Sequence, residues 1–104
     1  LSTISKFLKQ ILFPDADMVD MHESRIFTDE EREKIYSLFK TIMYLLRQNT
    51  LTAIDETDKK TADYILLVWE KWKSIKREFS SVIKKSAESW TKETELKEEL
   101  AYLG

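Results

Sequence analysis

The chain has 104 residues, 42% hydrophobic and 35% charged, with one glycine, one proline and no cysteine. That is enough apolar material for one modest core, but too little turn-forming material for hairpins or a sandwich, so the composition selects an all-α fold. The formal net charge of −2 is too balanced for bulk charge to recruit nucleic acid or an anionic membrane, and the lack of cysteine excludes disulfides, thiolate catalysis and cysteine-ligated metal.

No run of the sequence approaches the ~20 apolar residues of a membrane span, and the N-terminus lacks the apolar stretch of a signal peptide. The expectation is a soluble, cytoplasmic protein. The first residue is Leu1 rather than methionine, which leaves room for a preceding N-terminal piece.

In chain order, the first predicted helix covers about residues 3–13. Ile4, Phe7, Leu8, Ile11 and Leu12 fall at helical spacing, with Ser2 or Thr3 as the cap and Pro14 as the stop. Its short basic amphipathic pattern also fits a membrane-surface anchor, but one face of this length binds a bilayer weakly, so docking on a bundle is the better reading. The next stretch, DADMVDMHESR from Asp15 to Arg25, is the most acidic and least periodic. Asp15, Asp17, Asp20, His22 and Glu23 offer ligand atoms close together, yet the calcium loop's glycine and twelfth-position glutamate are missing, and so is the second histidine of a zinc helix. The expectation is a short helix over about 15–24, capped by Asp15, with Met18 and Met21 turned inward, and no metal.

Thr28-Asp29-Glu30-Glu31 reads as a capping box opening a helix over about 28–48. Its core stripe is Ile35, Leu38, Phe39, Ile42, Leu45 and Leu46, broadened by Tyr36, Met43 and Tyr44, a width that implies more than one neighbour. Asn49, Thr50 and Thr52 weaken helix propensity and suggest a connection through about Glu56. A long helix follows over about 57–90, with no glycine or proline to stop it. Read in sevens, Ile65, Trp72, Phe79 and Ser86 form one column and Val68, Ile75, Val82 and Ser89 a second, flanked by Trp69, Ile83 and Trp90. Leu96, Leu100 and Leu103 resume the register in a segment over 91–103, which either continues the long helix or follows a break at Trp90-Thr91.

These elements predict a single domain, a small antiparallel bundle of three to five helices built on one long C-terminal helix. At 1.5 Å per residue, the 57–90 helix, about 50 Å long, outreaches its ~30 Å neighbour. The expected overhang carries Phe79, Val82, Ile83 and Trp90, to be covered by the N-terminal segments or by a second chain.

Enzymatic readings fare poorly. Glu30-x-x-Glu33 and Asp55-x-x-Asp58 have the local spacing of a magnesium-dependent helical nucleotide pyrophosphatase, but they open consecutive antiparallel helices and serve equally as caps. His22 is the sole histidine, and there is no glycine-rich loop for an oxyanion or phosphate. No catalytic residue and no cofactor is assigned.

The favoured function is a non-catalytic helical interaction or oligomerisation module. Its candidate interface is Trp72, Phe79, Ile83 and Trp90, and a homodimer is preferred to a monomer. The alternative is a nucleic-acid-binding accessory subunit using Lys73, Arg77 and Lys84 on one face of the long helix, with Trp69 and Trp72 assigned to the core rather than to base stacking.

Overall fold

A computed structural model describes residues 1–91; the predicted segment over 91–103 lies, apart from Thr91, outside the described residues. Four helices and no strand are present among them: α1 (Ser2–Leu12), α2 (Met18–Arg25), α3 (Asp29–Ile54) and α4 (Asp58–Ser89). The fold is an all-α bundle whose last described helix is its longest. No helix among the described residues is long and apolar enough to cross a membrane.

Local chemistry sets the boundaries. Thr28 caps α3 as a complete capping box: Glu31 N–H donates to its hydroxyl, and the Thr28 N–H donates to the Glu31 carboxylate at 2.9 Å. Thr57 caps α4 in the simpler way, accepting from Lys60 N–H at 3.1 Å. For α2 the cap is Asp17 rather than Asp15, accepting from Asp20 N–H at 2.9 Å; the Asp15 N–H instead reaches the Asp20 carboxylate. At α1 neither Ser2 nor Thr3 caps, because the helix already starts at Ser2 with Leu1 in the cap position.

The largest departure from expectation is the end of α3, which runs to Ile54 rather than stopping near Gln48. Thr50 and Thr52 turn their hydroxyls back onto the carbonyls of Leu46 and Gln48 at 3.1 and 2.9 Å. In that arrangement a threonine satisfies itself within the helix instead of competing with it. Only Asp55, Glu56 and Thr57 remain to join α3 to α4, and so short a link makes the two antiparallel neighbours. An ion pair of Lys60 with Asp55 at 2.5 Å spans the joint.

The core draws on Ile4, Leu8 and Ile11 of α1, Phe27, Ile35, Leu38, Ile42 and Leu45 around α3, and Ile75 and Val82 of α4. α1 and α4 both lie against α3, while α2 packs on α1. The Ser24 hydroxyl and the Arg32 guanidinium both donate to the Ile11 carbonyl, which pins the C-terminal end of α1 beside the first turns of α3. With 11 residues, α1 is about 17 Å long, less than half of the ~39 Å of α3. The core is therefore concentrated at one end of the bundle. The described residues extend 56 × 24 × 20 Å with a radius of gyration of 17.0 Å, against about 13 Å for a compact domain of this size.

Candidate functional site

The long helix turns its second column inward. Val68 packs against the core, Ile75 and Val82 are buried, and Ser89 ends the row. The first column lies three or four residues away, a rotation of about 50°, and the flanking column one residue away, about 100°, and they meet different neighbours along the helix.

Towards its C-terminus α4 is covered. Phe79 meets Phe7 of α1 edge-on with ring centroids 5.8 Å apart. Trp90 packs its ring 4.1 Å from that of His22 and donates its indole N–H to Glu23 at 3.3 Å. Two of the four candidate interface residues, Phe79 and Trp90, are thus taken up by packing within the chain. The N-terminal helices cover the expected overhang, and of its residues only Ile83 stays open, at 37% exposure.

Towards its N-terminus α4 is bare. Ile65 is 59% exposed, Leu66 58%, Trp69 75% and Trp72 38%. Placing Trp69 and Trp72 in the core is therefore corrected: α3 lies along the Val68–Ile75–Val82 row, and α1 is too short to reach the adjoining face. Trp72 is the one candidate interface residue that belongs to this bare patch. Ile65, Leu66 and Trp69, its other members, were visible in the sequence as apolar residues at helical spacing. Their outward orientation was not, since two apolar columns on one helix look alike before the neighbour is known.

Lys73, Arg77 and Lys84 are all exposed, and among the described residues none of them forms an ion pair. They share a face that begins one turn after Trp69. Lys85, by contrast, is engaged: it pairs with Glu31 at 2.5 Å, and its ammonium lies 5.4 Å from the Phe27 ring centroid. This ammonium, together with the Thr28 backbone N–H, holds the Glu31 carboxyl down to about 2. Beside that pair, an open groove of about 300 Å³ has Phe27, Ile35, Leu38 and Val82 on its lining.

A buried polar seam joins α2 to the end of α4, in place of the expected inward Met18 and Met21. Those methionines are only half-buried; Asp20, His22 and Ser24 are the buried residues of α2. His22 Nε2 lies 2.9 Å from Ser89 Oγ, Ser89 donates to the Ser86 carbonyl at 2.6 Å, and Ser86 donates to the Glu23 carboxylate. Ser24 is bound in turn by Arg32. A buried histidine facing a serine invites comparison with a nucleophile and its base, but the proton positions oppose it. The Ser89 hydroxyl gives its hydrogen to a carbonyl, so its oxygen accepts from His22, and Nε2 must carry a hydrogen. A protonated Nε2 cannot remove a proton from Ser89. With His22 1% and Ser89 4% exposed, a substrate has no approach either. The seam is a latch between two helices, built from buried polar groups that satisfy one another.

The carboxylates behind the pyrophosphatase alternative do not converge. Glu30 and Glu33 belong to the first turns of α3, whereas Asp55 and Asp58 flank its far end, over 30 Å away along the helix. Among the described residues no group of three or more His, Cys, Asp or Glu is placed to hold a metal ion.

No family model matches the chain, and no curated protein or solved structure is significantly similar to it.

Proposed function

We propose that the chain is a non-catalytic helical protein–protein interaction module, working in the cytoplasm, that docks through the first half of α4. The observation that carries this reading is the contiguous exposure of Ile65, Leu66, Trp69 and Trp72. Together these side chains leave on the order of 500 Å² of mostly apolar surface in water, near the top of what a monomer ordinarily leaves in one patch. Tryptophan is also the residue most enriched among interface anchors. Of the original candidate contacts, Trp72 is on the patch and Ile83 continues its stripe toward the C-terminus.

Position-specific photo-crosslinking in the source cell tests it. A photoreactive residue at Trp69 or Ile65 should give discrete higher-mass adducts, and one at Ser74, exposed on the other side of the same helix, should not. Adducts at Ser74 alone, or at none of the three, would refute the reading.

A second reading has its own support in the exposed Trp69, one turn before Lys73 on the face along which Arg77 and Lys84 follow. An aromatic ring next to cations is the usual platform for a single-stranded nucleic acid. Binding to a short oligonucleotide should then weaken steeply with salt and vanish in the variant with Lys73, Arg77 and Lys84 all changed to Glu. Oligonucleotide affinity unaffected by that variant would remove this alternative.

A further inference from the structure

Resting on the docking-face reading, we infer that the occupant of the bare face is a second copy of the same chain, its α4 antiparallel to the first. The argument begins with spacing. Asp58, Ala62, Ile65, Trp69, Trp72 and Lys76 alternate steps of four and three, so they lie within an arc of roughly 80° on the helix. All six are exposed. This is the pattern of a two-helix seam, separate from the row that α3 already occupies.

In an antiparallel pair the positions before the four-step meet those after it, and a two-fold axis level with Leu67 pairs the whole series with itself. Ile65 meets Trp69 of the second copy. Ala62, the one small residue of the row, meets Trp72 of the second copy, so the bulkiest side chain faces the least bulk. At the two ends Asp58 meets Lys76 of the second copy, and the apolar layers close on ion pairs of opposite sign. Neither Asp58 nor Lys76 has an ion-pair partner among the described residues. In a parallel arrangement each residue would meet its own copy, setting Asp58 on Asp58 and Lys76 on Lys76, with Trp69 crowded against Trp69.

Area supports the same occupant. A stable interface of ordinary size takes about 800 Å² from each partner. The four large apolar residues supply about 500 Å², and the flanking Asp58, Ala62, Lys73 and Lys76, all exposed, bring the footprint to that range. The face is isologous, so closing it consumes both copies and leaves no open end for further growth.

Sedimentation equilibrium of the full chain, from about 1 to 200 μM at low salt, tests the inference. A dimer with a micromolar or tighter Kd is expected. Trp69→Ala should raise that Kd at least ~30-fold, as an interface anchor does, with an unchanged helical spectrum because this side chain is mostly in water. Asp58→Lys or Lys76→Glu alone should raise it several-fold, and the two together should restore it to within about twofold. A dimer sensitive to Trp69→Ala but not restored by the double charge exchange would overturn the antiparallel register. A dimer indifferent to Trp69→Ala would overturn the assignment of this face to the second copy. A monomer throughout would overturn the second copy as occupant while leaving the docking-face reading to be decided by the crosslinks at Trp69 and Ile65.

Discussion

Two alanine substitutions on one helix, Ile75→Ala and Trp69→Ala, should rank opposite to the sizes of the side chains removed. Ile75 is 2% exposed and sits where α4 meets α3. Its replacement deletes about three carbons at ~0.8 kcal/mol each, and the residual cavity brings the loss to about 3–4 kcal/mol. Trp69 is 75% exposed, so only about 60 Å² of it is covered, which at ~25 cal/mol per Å² bounds its loss near 1.5 kcal/mol. For a chain of this length the urea slope is roughly 1–1.5 kcal/mol per M. Ile75→Ala should thus lower the unfolding midpoint by about 2–4 M and Trp69→Ala by about 1.5 M or less. Unfolding followed by circular dichroism over a series of protein concentrations, and referred to the monomer by mass action, keeps association from adding to the wild-type value. If Trp69→Ala were to cost as much as Ile75→Ala under those conditions, the orientation assigned to α4 would be wrong.

Three further outcomes follow from the other end of the bundle. The folded carboxyl of Glu31 is depressed to about 2 by Lys85 and the Thr28 N–H, so its contribution is fully present above pH ~4.5 and is lost as pH falls towards 2. The pair is more than a third exposed, and solvent screening reduces the effect to about 0.5 kcal/mol. Glu31→Gln, which keeps the capping box, should flatten the stability profile by about that amount between pH 5 and 2; an unchanged profile would contradict the assignment. Thr28→Ala should cost about 1 kcal/mol in chemical denaturation, since it leaves the first turn of α3 without its cap; a loss under 0.3 kcal/mol would show the cap to be dispensable. His22→Ala opens the latch under Trp90 and should cost about 2–4 kcal/mol, lowering the melting temperature by about 10 °C or more, with a red shift in tryptophan emission. A shift below 3 °C would mean that α2 contributes little to holding the end of α4.

Much of the bundle was legible in the residues because helices announce themselves through period and caps. Thr28 opens α3 where its capping box says it should, and α4 starts close to the expected 57, although its cap, Thr57, was not singled out by the residues alone. The end of α3 was harder, since a threonine opposes a helix or joins it according to whether its hydroxyl folds back, and sequence does not choose between the two. α2 defeated periodicity for a different reason: it buries Asp20, His22 and Ser24, which satisfy polar groups of other segments and carry no apolar rhythm. The candidate interface turned on a single rotation of α4. The Val68–Ile75–Val82 row admits α3 closely because its side chains are compact, and a row of tryptophans would hold the helix axes apart. Two adjoining apolar rows leave that choice to the neighbour, and so the bare face shifted from the region of Phe79 and Trp90 to that of Ile65 and Trp69.

The short link between α3 and α4 closes a hairpin tip in which, from Leu46 to Ser74, no residue is fully buried. Every fully buried side chain among the described residues lies elsewhere, so cooperativity should grade along the molecule: the latched end opens only with global unfolding, while the tip frays on its own. Amide hydrogens of Ile65 to Trp72 should therefore exchange with solvent well ahead of those around Ile75 and Val82. A partner closing on the tip would slow them selectively, so the module would carry at its far end an internal gauge of its own occupancy.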